Sequence, residues 1–463
     1  MNRLLILFFF SFFLILLSLS HTPQVNALGI GQCYIADNFN NPNIHWAYPG
    51  VEVSWNALEP REGEYNFTNI DKIITNARAS KKKVWIMIPV TNSVSPDTWP
   101  TVPQWTIDKG MHALNRGTPI QWDPLYLEYH EKLLKAFAAK YEKPEYYDVI
   151  EAIIMQAGGD FGEMTLKYKY CYGDPNKKEG EKDDALDPDN IYVKEMARVY
   201  LGSENRSNEI AQLKDGKLVF DDYFIKSVKK IIDIYGRTFS HYPFVLPNGF
   251  GLSCQPRVLR EVADYGVGQY HNHMWLRTAG WGSWTGLGNG DPNEVDSFFL
   301  SYETRTAVNF EVGHPSYWCA AEDGFVKAGC MDCCQWDTHA QAVLHNTNAI
   351  NIAINSGAES VCLYPEFFTN PKKYPIDMTI LQTRLEGNYR PEILDITPLP
   401  THLPTQTPIP TINYKQITKS TYYYYVLKSN SGQIPTLINL DFNYDGHVNT
   451  QDRLIIVDYL KQQ

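Results

Sequence analysis

Two glutamates stand where acids are uncommon. Glu311 interrupts the apolar run "TAVNFEVGH", and Glu163 follows the apolar run "DVIEAIIMQ" across the turn "AGGDFGEM". Burying an unpaired carboxylate is costly, so an acid inside a strand is expected to be paired or used. Two carboxylates on either side of one bond can split an acetal. One, kept protonated, gives its proton to the leaving oxygen, while the other attacks the carbon or activates water. Glu163 also fits the first turn of a helix, where the dipole favours negative charge. Asp160 fits a turn, a partner of the acid, or the acid itself.

Other residues suggest metal chemistry. His271 and His273 form an H-x-H pair in "YGVGQYHNH". Read as a strand, that spacing puts both imidazoles on one face, where they would hold a metal or hydrogen-bond a ligand. A more specific pattern is "DFNYDGHVNTQD", residues 441–452. Asp441, Asn443 and Asp445 take the first three side-chain positions of an EF-hand loop, and Gly446 takes its sharp turn. His447 offers its carbonyl, Asn449 follows, and Asp452 closes the loop. The segment "RLIIVDYLKQQ" continues as a short amphipathic helix. Calcium is the expected cofactor of this module, and none is expected at the acid pair.

Cys319, Cys330, Cys333 and Cys334 crowd one loop. They suggest disulfides over zinc, because adjacent cysteines fit the spacing of paired zinc ligands poorly. Cys362, inside the apolar "AESVCLYPE", reads as a buried free thiol.

Side chains of this kind need a rigid frame. Short apolar runs alternate with helix-length amphipathic ones, and strands are expected at 29–35, 50–55, 83–90, 148–156, 243–248, 265–273, 306–314 and 358–366. The helix "DPLYLEYHEKLLKAFAAKY" starts clearly, with Asp123 as N-cap and Pro124 at its first position. Eight strand–helix repeats predict an α/β fold, a (β/α)8 TIM barrel spanning residues 28–395. A doubly wound sheet is the rival, but no glycine-rich dinucleotide fingerprint follows an early strand. In a barrel, chemistry gathers at the C-terminal ends of the strands. Glu163 and Glu311 would then face one another from strands four and seven. The other strand ends would offer Trp55, Asn92, Asn248, Tyr270, His271, His273 and Tyr364 to a substrate. Trp275 and Trp281, after the sixth strand, would be stacking platforms.

Aromatic residues make up 13% of the chain, which suits stacking on sugar rings and equally a large aromatic core. The net charge is −11 with no long basic run, which argues against a nucleic-acid partner. Residues 1–27 carry Arg3, the apolar "LLILFFFSFFLILLSLS" and the small-residue site "VNA", the parts of a secretory signal peptide. An uncleaved anchor is the alternative for an apolar run of this length. With the signal removed, the protein is expected to be extracellular and off the membrane. Residues 396–433 form a Pro/Thr-rich linker and connector, and 434–463 a small terminal module.

The stretch "VSWNALEPREGEYNF" resembles the W-x-x-x-E-P-x-x-G-x-Y-x-F pattern of clan A glycoside hydrolases, the β-galactosidase-like and cellulase-like barrels. Trp55, Glu59, Pro60, Gly63, Tyr65 and Phe67 carry it. The resemblance implies a retaining glycosidase acting on a polysaccharide or oligosaccharide, with Glu163 as acid/base and Glu311 as nucleophile. One departure is that no Asn precedes Glu163, which leaves room for a barrel that binds glycans without cleaving them. The alternative built on His271 and His273 is a metal-dependent barrel hydrolase. The terminal module resembles a dockerin repeat, which implies a cohesin-bearing scaffold as a partner. Dockerins carry two such repeats, and one is recognisable here.

Overall fold

The computed structural model describes residues 28–33, 39–92, 97–156, 186–215, 217–248, 256–281, 298–312, 338–369, 374 and 376–388. The chain divides into two compact units, Met1–Leu399 and Pro400–Gln463. Every described residue belongs to the first, so the expected calcium module lies outside the described residues.

Eight parallel strands close into a barrel: β1 (Gly29–Gln32), β2 (Trp46–Ala47), β3 (Lys83–Met87), β4 (Ile150–Ile154), β5 (Phe244–Asn248), β6 (Met274–Trp281), β7 (Val308–Val312) and β8 (Ser360–Leu363). Each strand pairs with its sequence neighbours, and β1 closes the ring on β8. The flanking helices are α1 (Thr68–Ala79), α2 (Pro124–Tyr141), α3 (Ile191–Leu201), α4 (Val219–Thr238), α5 (Pro256–Tyr270), α6 (His339–Asn355) and α7 (Met378–Gly387). This is the expected (β/α)8 architecture. Local chemistry starts the helices where the sequence reading places them. The Asp123 carboxylate accepts from the N–H groups of Leu125 and Tyr126, with Pro124 next in line. Thr338 and Gln341 form a capping box on α6. No described helix is long and apolar enough to cross a membrane.

The barrel interior is filled by large aromatics. Trp46 stacks on Trp85 at 3.8 Å, and Trp85 meets Trp275 at 5.7 Å between ring centroids. Met87, Ala152, Ile154 and Val245 complete the packing. Gly31 makes room for this arrangement, since a Cβ there would fall 2.2 Å from the Trp46 ring.

Three expectations are corrected. The second strand is not 50–55: β2 is Trp46–Ala47, Val51–Val53 is a 3-10 turn, and Trp55–Leu58 is a short helix. The sixth strand is not 265–273 either. Residues 256–270 are α5, His271–His273 form a 3-10 turn, and β6 starts at Met274. The helical period wins there because Val258, Leu259, Val262, Ala263, Val267 and Tyr270 form one buried stripe. Gly266 is a site of close packing: a Cβ there would lie 1.8 Å from the Met274 sulfur. Finally, Cys362 is not a free thiol. It is disulfide-bonded to Cys33, 329 residues away, and the bond links β8 to the residue following β1 across the closing seam. Sequence separation hides that pairing, whereas the register setting Cys362 opposite Gly31 reveals it.

Candidate active site

Glu311 lies on β7 and is 5% exposed. Side chains from three other strands or strand ends converge on its carboxylate. Its Oε1 accepts from the hydroxyls of Tyr48 and Tyr364, each at 3.3 Å. Its Oε2 accepts from Nη2 of Arg277, which is 2% exposed. The same Nη2 donates to the Tyr48 hydroxyl at 2.8 Å, and the guanidinium carbon sits 4.7 Å from the Tyr48 ring centroid. Tyr48 directly follows β2, Tyr364 directly follows β8, and Arg277 belongs to β6. One guanidinium and two phenolic hydroxyls therefore satisfy a carboxylate whose burial alone would be unfavourable. Below this group, the Asn309 side-chain amide donates to the Ser360 hydroxyl.

The structure sorts the residues expected at the barrel mouth. Glu311 and Tyr364 come together as described. Glu163 and Asp160 lie outside the described residues. Strand β4 leads to Gln156, whose Oε1 accepts from the Val90 N–H at 3.3 Å and ties the ends of β3 and β4. Asn92 is buried, and its Nδ2 donates to the Trp99 carbonyl at 3.1 Å, holding the loop after β3. Asn248 is the last residue of β5 and Trp281 the last of β6.

Trp55 is a packing residue rather than an open platform. It is fully buried, its Nε1 donates to Glu59 Oε2 at 2.9 Å, and its ring meets Trp105 and Tyr126 edge-on. Glu59 Oε1 accepts from the N–H of Gly63, whose φ of 72° favours glycine. Burial raises the Glu59 carboxyl above its usual range, against the opposing pull of the Gly63 and Trp55 bonds. Trp55 and Glu59, which begin the motif, are thus a buried structural pair after β2.

Tyr270, His271, His273 and Trp275 lie at the opposite, N-terminal end of β6, which follows from the corrected strand. Tyr270 donates to Asp233 at 2.8 Å, and Trp275 Nε1 donates to the Asn272 carbonyl at 2.9 Å. His271 is exposed and His273 is 2% exposed, so the pair does not share a face. A 3-10 turn rotates about 120° per residue, unlike a strand. Among the described residues, no group of three His, Cys, Asp or Glu side chains could hold a metal.

The sequence reading missed Tyr48 and Arg277. Arg277 carried the same signal as Glu311, a charge inside an apolar run, "MWLRTAG". Tyr48 had no such signal, because β2 is two residues long.

Residues 36–146 match the family model of glycoside hydrolase family 42, described as beta-galactosidase. That stretch is about a quarter of the chain and includes Tyr48, Trp55 and Glu59. No curated protein matches the sequence. Among solved structures, the catalytic domain of a beta-amylase from Paenibacillus polymyxa is 11% identical, with a TM-score of 0.51, covering 79% of this chain and 99% of that one. A xylanase from Paenibacillus barcinonensis is 12% identical, with a TM-score of 0.43, covering 78% of this chain and 95% of that one. A beta-galactosidase from Rahnella sp. is 13% identical, with a TM-score of 0.38, covering 81% of this chain and 56% of that one. The beta-amylase overlay shows a shared barrel fold. The family match supports a glycosidase enzyme of the clan A type.

Proposed function

We propose that the chain is a secreted, retaining glycoside hydrolase acting on a polysaccharide or oligosaccharide, with Glu311 as nucleophile and Glu163 as acid/base. The observation that carries the reading is the Glu311 carboxylate, set on the seventh barrel strand and surrounded by three donors. The Arg277 ion pair favours its ionised form, which is what a nucleophile needs. Retention further requires the two carboxyl groups to stand about 5–5.5 Å apart. The terminal EF-hand pattern supports a calcium-binding, dockerin-like module that docks a cohesin-bearing scaffold.

Glu311→Ala tests the assignment on a panel of 2,4-dinitrophenyl glycosides. Expected is loss of turnover with unchanged circular dichroism, and recovery in azide as a glycosyl azide of inverted configuration. Hydrolysis by the variant at the wild-type rate would remove Glu311 from the mechanism. A second reading, a glycan-binding barrel without turnover, is favoured by the absence of Asn before Glu163. Glycan-array binding by a wild type that hydrolyses none of the panel would select it.

A further inference from the structure

Arg277 does more in this arrangement than neutralise Glu311. Its Nη2 bonds only one of the two carboxylate oxygens, Oε2, while Oε1 is held by two phenols at 3.3 Å, long for an O–H···O bond. The two oxygens are therefore unequal. Oε1 is the more readily freed, because exposing it breaks two weak neutral contacts. Freeing Oε2 would instead break a charge-assisted bond in a site where the guanidinium is 2% exposed. Tyr48 strengthens the distinction. Its hydroxyl accepts from Arg277, and its ring lies against the guanidinium, so the arginine is held from two sides.

We propose that Arg277 is a positioning residue that fixes Oε2 of Glu311, leaves Oε1 to attack, and speeds the later release of the sugar from Glu311. The inference rests on the retaining reading above. In the first step a lone pair of Oε1 forms a bond to the anomeric carbon. The electron pair of the broken C–O bond leaves with the departing oxygen, which takes its proton from the acid, Glu163. Oε2 becomes the carbonyl oxygen of a neutral ester. The guanidinium then stays buried beside a group that no longer balances its charge. That imbalance is relieved when water adds to the anomeric carbon and the Oε1–C pair returns to the carboxylate. The water proton passes to the Glu163 carboxylate, which the first step left ionised. Arg277 thus makes Glu311 a better leaving group in the second step.

The test uses the full chain and a 2,4-dinitrophenyl glycoside that the wild type hydrolyses. For Arg277→Met the expected result is a roughly 10- to 100-fold fall in kcat without a rise in KM. It should come with a burst of one equivalent of dinitrophenolate, a sugar adduct on the intact protein by mass spectrometry, and an acid limb of the pH–rate profile moved to higher pH. Arg277→Lys should keep the acid limb near that of the wild type while kcat stays at least tenfold low, since charge is retained and the planar guanidinium held against the Tyr48 ring is lost. If Arg277→Met does not fold, this lysine result decides alone, and wild-type kcat in it overturns the proposal. A folded Arg277→Met with an unmoved limb and no burst overturns it as well. Failure of the retaining reading shows separately, as absence of azide rescue in Glu311→Ala.

Discussion

Glu151 offers a prediction that can be worked from the structure. It falls at a register shift, where Val84 pairs with Ile150 and Trp85 with Ala152, so Glu151 has no partner across the ladder. Its side chain accepts from Trp85 Nε1 at 2.7 Å. Burial pushes its carboxyl up to about 7, against the opposing effects of the Trp85 bond and the Lys83 charge. Because this pKa lies above that of the unfolded chain, the folded state holds the proton longer. The penalty is absent at pH values below about 4.5, grows as pH rises, and is complete above about 7. The rise to about 7 corresponds to about 3 kcal/mol, an upper bound because the side chain keeps some contact with solvent. For a barrel of this size that is roughly 4 °C in Tm. Glu151→Gln keeps an acceptor for Trp85 and removes the titration. Melting both proteins at pH 5, 6, 7 and 8 should show the variant gaining on the wild type as pH rises, by up to roughly 4 °C. Titrations shared by both proteins, such as that of His130, which burial pushes down to about 3, cancel in the difference. A Tm difference that stays constant from pH 5 to 8 would refute the reasoning.

The Cys33–Cys362 bond closes a long loop between fully buried residues, so a Cys33→Ala/Cys362→Ala double variant should lose about 2–5 kcal/mol of stability. Dithiothreitol should leave the bond intact in the folded protein, as thiol titration would show; rapid native-state reduction without a fall in Tm would count against the seam role. Trp99 is 60% exposed on the loop after β3, where Asn92 holds its carbonyl. Trp99→Ala should raise KM for long oligosaccharides about fivefold, the worth of roughly 1 kcal/mol of stacking, and leave aryl monosaccharides unaffected. Equal effects on both substrates would contradict a platform there. In calorimetry, calcium should bind the full chain and fail to bind an Asp441→Ala/Asp445→Ala variant; equal heats would remove the EF-hand reading.

Glu311 was legible because a single charge inside an apolar strand contradicts the burial that the strand demands. The same logic would have found Arg277, and overlooking it left the carboxylate without its partner. The barrel itself was readable from the alternation of buried strands and capped helices, which depends on local chemistry at positions such as Asp123–Pro124 and Thr338–Gln341. Misplaced elements had local causes too. The run 265–273 reads as a strand, yet its Val267 and Tyr270 continue the buried stripe of α5, and Gly266 lets that helix pack against Met274. That single error carried Tyr270, His271, His273 and Trp275 to the wrong end of the barrel.

Residue type and spacing, then, determine that a barrel forms and that an acid stands near the end of its seventh strand. The tertiary structure alone decides which groups meet that acid. Arg277 and Tyr364 come from the two strands that flank β7, whereas Tyr48, which follows β2, comes within hydrogen-bond reach of Glu311 because β1 closes on β8 in one register. Register and closure are properties of the whole ring, set by strand pairing and by the packing of Trp46, Trp85 and Trp275 inside it, and no local window of sequence contains them.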